Sequence, residues 1–511
     1  MIKKKEELLI ILIVVSLGLA TAFYLYSIDK YSLLYYGDST SHLVAARKMF
    51  DWSENTGLSQ IGTVWLPLPH FLLVPFSSID SLFFSGFAGT ALSLISIAIT
   101  SVLLYRIIQS LTGHSYIAFA TALLYAANPN ILYMGITAMT EAPFMLFFVG
   151  GAYYFQRWYQ NLNSNKFHDL IKCSIFVSLA TFCRYEGWFI PVFMLVIVGV
   201  FAIKQKSWDT KRKVSPMLLS LISFSCIAIW LIFNFLNYGD PFEFANAQFY
   251  SAASQAADRP YRDALYLQPL SVVNIYGTTA VAMFGPVILV GAALGIIFRK
   301  LLMGHSEKIL LIFLALPPTF TVASLLIGIG EMSYWFNARF LMILSPLLIV
   351  AVSLFVFRTY KIIKKKPILV GIIFALFFYP AVTPALGVVT FIDATDGFNY
   401  IQTPYAVQVG EKMSRSYDDG TIYIMTGSAQ EQRIMMSSGI ALKNFDDITD
   451  FSTWKSSFKE PWLYDRWMII SKEPGSDAQG VIQYWDVHQE QLTQHYDLFY
   501  ENTYYKILAR K

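Results

Sequence analysis

Runs of about 18–25 mostly apolar residues recur through roughly the first 390 positions of this chain, and no other feature constrains its fold as strongly. A run of that length crosses a hydrocarbon layer of about 30 Å when it is helical. Lipid offers no partner to backbone N–H and C=O groups, so the runs are expected to be helices. A membrane barrel would need short alternating segments, which the sequence lacks. The composition agrees: 55% hydrophobic residues, 14% charged residues and a mean hydropathy of +0.49 exclude an ordinary soluble protein of 511 residues.

The runs fall at about 8–28, 82–104, 115–127, 131–155, 170–182, 188–203, 214–236, 273–298, 309–327, 335–356 and 368–389, which predicts about 11 transmembrane helices. The first follows Lys3-Lys4-Lys5 and has an apolar core longer than that of a signal peptide, so it reads as a retained anchor. With the N-terminus in the cytoplasm, the inner segments carry 20 Lys and Arg and the outer ones 7. That asymmetry predicts a multi-pass plasma-membrane protein with its C-terminus outside. The outer loops 29–62, 238–270 and 330–338 are long or polar, so the functional face is expected there.

Near residue 392 the composition becomes that of a soluble domain. Strand-like runs (421–425, 467–470, 504–508) alternate with helix-like stretches (406–413, 429–436, 481–491), and the end reads as a hairpin. The expected architecture is therefore an all-α polytopic membrane domain over 1–391 and a small extracytoplasmic α/β domain over 392–511. The formal charge of +4 comes without a basic stripe interleaved with aromatics, so no nucleic-acid partner is expected. Cys173, Cys183 and Cys226 lie in or beside apolar runs, which excludes a disulfide framework and a cysteine-based zinc site. No His, Asp and Glu spacing asks for a metal; neither metal nor cofactor is expected.

Five short segments could carry chemistry. The first loop contains Gly37-Asp38-Ser39 and His42, just ahead of an amphipathic helix in which Leu43, Ala46 and Phe50 share one face, as suits the membrane interface. Trp65-Leu66-Pro67-Leu68-Pro69 should stay extended, with Trp65 at headgroup level. Glu141, in Thr140-Glu141-Ala142-Pro143, sits within an apolar run, where an ionisable group is costly unless it lines a polar cavity. Arg184 and Glu186 stand at an outer junction, able to pair with each other or with Glu141. Tyr334 and Arg339 flank the start of the tenth run; a guanidinium at that depth suits a phosphate, with lipid-headgroup anchoring as the alternative.

In these residues the chain resembles the GT-C superfamily of membrane glycosyltransferases, and most of all the branch of protein O-mannosyltransferases and the aminoarabinose transferase of lipid A. The resemblance covers roughly residues 1–390. It rests on Gly37-Asp38-Ser39, on Trp65 to Pro69, on Thr140 to Pro143, and on Ala338-Arg339-Phe340 ahead of Pro346. It implies a polyprenyl- or dolichyl-phosphate sugar as donor and inverting transfer of a hexose to an acceptor hydroxyl on a protein, glycan or lipid. Asp38 would be the catalytic base and Arg339 would meet the lipid phosphate. Glu141 would act in the same cavity, and Arg184, Glu186, His42, Trp65 and Tyr334 would contact substrate. Many relatives carry Asp-Glu where this chain has Asp38-Ser39, so a role needing adjacent carboxylates is in question. The Trp-Trp-Asp motif of oligosaccharyltransferases is absent, which argues against en bloc transfer to asparagine. The competing reading is a transporter or lipid-linked-glycan flippase, although the two related halves usual in transporters are not seen.

Overall fold

The computed structural model describes residues 2–52, 56–162, 167–205, 208–246, 261–297, 305–333, 335–362, 371, 375–379, 382–383, 386–399, 401–424, 429–447, 460–472, 485 and 488–511. Its contacts divide the chain into two compact units. One comprises 1–27, 63–69 and 90–393; the other comprises 28–62, 70–89 and 394–511.

The first unit is helical. Six described helices are long and apolar enough to span a membrane, the N-terminal one and those at Phe87–Thr112, Tyr185–Lys204, Thr210–Tyr238, Ser306–Leu326 and Ala338–Ile362. A seventh span is possible where Pro269–Phe284 and Pro286–Ile297 meet at 109°. The sequence count of eleven is higher because several runs fold as shorter pieces, and part of 368–389 lies outside the described residues. Ser115–Ala126, for example, has only 12 residues. The run at 131–155 splits into Pro129–Met134 and Glu141–Gln160. Hydroxyls from the neighbouring Phe87–Thr112 helix satisfy the intervening carbonyls: Thr90 Oγ1 donates to Ile136 O at 2.6 Å and Ser93 Oγ to Thr137 O at 2.6 Å. Pro143 lies in the first turn of the second piece, where its missing N–H costs nothing. Glu141 is thus the first residue of a helix, not a residue inside one.

The bend at 285 follows the same logic. Gly285 has φ +78°, a conformation open to glycine, and it interrupts the backbone ladder. Asn128 and Asn130 each donate a side-chain N–H to Met283 O, at 3.0 and 3.2 Å. Asn130 Oδ1 accepts from Thr390 N–H at 3.0 Å. Irregular backbone at membrane depth persists only when neighbours re-satisfy it in this way.

The second unit joins the loop 28–62 to an α/β region. Its five strands, β1 (Thr421–Ile424), β2 (Phe445–Asp447), β3 (Asp465–Ser471), β4 (Tyr496–Glu501) and β5 (Tyr505–Arg510), order as β2-β1-β3-β5-β4. β1 runs parallel to β2 and β3; β5 is antiparallel to β3 and β4. Tyr423, Met468, Ile470, Trp485, Leu492 and Tyr496 form a core there. The helices Thr403–Ser416 and Ala429–Ser438 meet at Gly410, where an added Cβ would lie 2.6 Å from Ile434 O. The expected hairpin is present as β4 and β5; Met425 and 481–484, 486 and 487 of the expected elements lie outside the described residues.

Candidate active site

In the helical unit, one buried carboxylate organises two arginines. Glu141 is fully buried, and its Oε1 accepts from Arg184 Nη1 at 2.8 Å. The same Arg184 Nη1 reaches Thr140 Oγ1 at 2.9 Å, while Arg184 Nη2 and Nε hold Glu186 Oε1 at 2.6 and 3.2 Å. Arg339 Nε lies 3.9 Å from Glu141 Oε1, and its Nη1 is 3.7 Å from Met139 Sδ. Both guanidiniums lie over the Phe340 ring, 5.4 Å away for Arg184 and 5.3 Å for Arg339. The structure therefore brings Glu141, Arg184, Glu186 and Arg339 together. Among the described residues, Glu141 Oε2 has no hydrogen-bond partner.

Local backbone explains how Arg339 arrives there. Asn337 is left-handed at φ 59°, a conformation asparagine tolerates better than most residues. Its N–H donates to Asp393 Oδ1 at 3.3 Å and its side chain to Glu331 O at 3.0 Å. The tight 3-10 turn Ala338–Leu344 follows and carries the arginine. Tyr334 lies outside the described residues. Beside Trp65, Val64 O accepts from Tyr185 OH at 2.9 Å, and the Tyr185 ring stacks on Phe244 of the 238–270 loop at 5.1 Å. Sequence reasoning missed Thr140, Asn337, Glu331 and Asp393. Of these only Asn337, beside Arg339 and in a residue type prone to left-handed backbone, carried a local signal.

The second unit holds Asp38 and His42. The helix carrying them begins at Gly37, so Asp38 is its second residue rather than a residue ahead of it. Its amides favour a negative charge in that first turn. Nine of its twelve residues are buried, so the polar face expected to meet solvent is enclosed. Arg47, on that face, binds Asp51 at 2.6 Å and Asp80 at 2.6 Å. His42, four residues after Asp38 and so on the same face, shares a hydrogen bond at 3.0 Å with His70; both rings are buried. The Trp65–Pro69 segment does not stay extended throughout. A helix starts at Leu68 with Pro69 in its first turn, a position proline accepts.

A family model for dolichyl-phosphate-mannose-protein mannosyltransferases matches residues 67–233, a stretch that includes Glu141, Arg184 and Glu186. The fold matches solved membrane enzymes over nearly the whole chain. The oligosaccharyltransferase of Archaeoglobus fulgidus, solved with Zn and sulfate, aligns at a TM-score of 0.54 and 12% identity, covering 98% of this chain and 73% of that one. The chain shares that fold over nearly its whole length. ArnT from Cupriavidus metallidurans bound to undecaprenyl phosphate gives a TM-score of 0.51 at 11% identity, covering 97% of both chains. The apo form of the same enzyme gives 0.54 at 10% identity, covering 92% of this chain and 93% of its own. No curated protein matches the chain significantly in sequence.

Proposed function

We propose that this protein is a GT-C-type inverting glycosyltransferase that moves a hexose from a polyprenyl-phosphate donor to an acceptor hydroxyl on the extracytoplasmic face. The observation that carries the reading is the buried cluster of Arg184 and Arg339 around one carboxylate, Glu141. In the reaction the acceptor oxygen bonds to the anomeric carbon, the bond from that carbon to the phosphate oxygen breaks, and polyprenyl phosphate leaves. The leaving phosphate gains a negative charge as the bond breaks. Guanidiniums held in place beforehand stabilise that charge without reorganising, and they bind phosphate through paired, charge-assisted hydrogen bonds. Glu141 keeps both arginines within reach at low cost, because a buried cation without a counter-charge is expensive. The hydroxyl proton goes to Asp38, the general base. ArnT, crystallised with undecaprenyl phosphate, supports the donor class. The outward orientation rests on the distribution of basic residues along the chain.

The test uses membranes carrying the full chain and a radiolabelled undecaprenyl-phosphate mannose. Wild-type protein should move label to endogenous acceptors, and Asp38→Asn should reduce transfer to background while retaining wild-type expression and melting. Label that crosses between leaflets with its phosphate bond intact would replace this reading with a flippase. Normal transfer by Asp38→Asn would remove Asp38 from the mechanism.

A further inference from the structure

Arg433, on the helix Ala429–Ser438, is 4% exposed and directs its guanidinium at the backbone of the first loop. Nη1 donates to Leu34 O and Nη2 to Tyr35 O, both at 3.0 Å. The guanidinium lies 4.8 Å from the centroid of the Phe398 ring, which packs against Tyr35 at 4.6 Å and Tyr31 at 6.2 Å. These carbonyls immediately precede Tyr36, the extended residue (ψ 127°) from which the Asp38 helix starts. From inside the helix, Ser39 Oγ and Thr40 Oγ1 reach back to Leu33 O at 3.4 Å and Leu34 O at 3.3 Å, so Arg433 and the helix start hold the same stretch of backbone.

The rest of the loop is tied down in the same manner. Lys30 Nζ and Tyr31 OH both reach Glu411 Oε1, at 2.8 and 3.0 Å. Beyond the helix, the Asp51 carboxylate accepts from Leu442 N–H at 3.3 Å and Lys443 N–H at 3.4 Å. All these residues belong to one compact unit. The C-terminal region thus grips the Asp38 segment at both ends, and Arg433 holds it three residues ahead of Asp38.

We propose that Arg433 is a positioning residue: by holding the Leu34 and Tyr35 carbonyls it sets where the Asp38 helix begins, and so makes the C-terminal domain part of the catalytic apparatus. The inference rests on the reading of Asp38 as the base. A reacting group displaced by roughly 1 Å can lose about a hundredfold in rate, so a remote backbone grip can govern turnover.

The experiment compares full-length wild type with Arg433→Ala, Arg433→Lys and a control, Arg466→Ala. Arg466 also makes two hydrogen bonds, to Arg510 O at 2.6 Å and Asp418 at 2.9 Å, and neither is to the first loop. Amide hydrogen exchange over 33–42 should rise at least tenfold in Arg433→Ala, partway in Arg433→Lys, and not at all in the control. Transfer from undecaprenyl-phosphate mannose should show kcat falling at least tenfold in Arg433→Ala with the donor KM unchanged, and a partial recovery in Arg433→Lys. Unchanged exchange, or faster exchange with normal kcat, overturns the proposal, as does an equal fall of kcat in the control. A wild type that transfers nothing from this donor refutes the enzymatic reading instead, and exchange still decides whether Arg433 holds the segment.

Discussion

Arg184 and Arg339 share a carboxylate, yet they hold it differently, and their substitutions should separate. Arg184 makes close hydrogen bonds to Glu141, Thr140 and Glu186, whereas Arg339 approaches Glu141 only to 3.9 Å. Arg184→Ala strips Glu141 of its close cationic partner, a change that costs about 3–5 kcal/mol when the charge left behind is buried. Its melting temperature in detergent should fall well below that of wild type. Arg339→Lys keeps the positive charge but loses the planar fork that pairs with phosphate oxygens. Transfer should drop by about 10²-fold with melting preserved, the scale seen when one stabilising donor is removed from a charged transition state. Equal activity of Arg339→Lys and wild type would make Arg339 a headgroup anchor. The ionisable members of this cluster were legible in the sequence, because charge inside an apolar run is conspicuous whatever surrounds it. The bonds from Arg184 to Thr140 and from Asn337 to Glu331 and Asp393 were not: each is made through tertiary folding, which spacing along one chain does not reveal.

Helix breaks are the elements that hydropathy alone could not place. Averaging apolarity over 131–155 or 273–298 joins pieces that the backbone separates, because Gly135, Ile136 and Gly285 are themselves apolar or neutral. What permits each break is a polar side chain from elsewhere: Thr90 and Ser93 for one, Asn128 and Asn130 for the other. The second case is testable. Asn130→Ala would leave Thr390 N–H without its 3.0 Å acceptor and remove one of two donors to Met283 O. An unsatisfied buried backbone group costs about 1–3 kcal/mol, so thermal stability should fall by that order. Melting in detergent measures the loss. Helical runs, the C-terminal α/β region and its terminal hairpin were readable from period and composition, as those signals are local. The enclosure of the Gly37–Lys48 helix was not. Its alternating faces look like an interfacial helix until Asp51 and Asp80 are found on Arg47.

At the scale of the whole molecule, the loop 28–62 and the C-terminal region belong to one compact unit, so the stability of the sheet reaches the segment that carries Asp38. One residue makes that stability depend on pH. Asp465 opens β3, is fully buried, and neither carboxyl oxygen has a hydrogen-bond partner among the described residues. Burial, reinforced by the charge of Asp446 and opposed by Arg510, pushes its carboxyl up to about 8. An acid raised in the folded state binds a proton that the unfolded chain, titrating near 4, releases. Folding is therefore favoured most at low pH with respect to this group. Its contribution is lost progressively as pH rises from about 4 to about 8, at roughly 1 kcal/mol per pH unit, and is flat above that. Asp465→Asn cannot ionise and removes the slope. Across pH 5–9 the wild-type C-terminal unit should melt progressively lower, and the variant should hold a nearly constant melting temperature, converging with or exceeding wild type at the alkaline end. Tryptophan fluorescence melts on the full chain follow the transition, since Trp467 and Trp485 are buried in this unit. Parallel pH profiles for the two proteins would mean that Asp465 stays charged inside the fold, with a counter-charge drawn to it in solution.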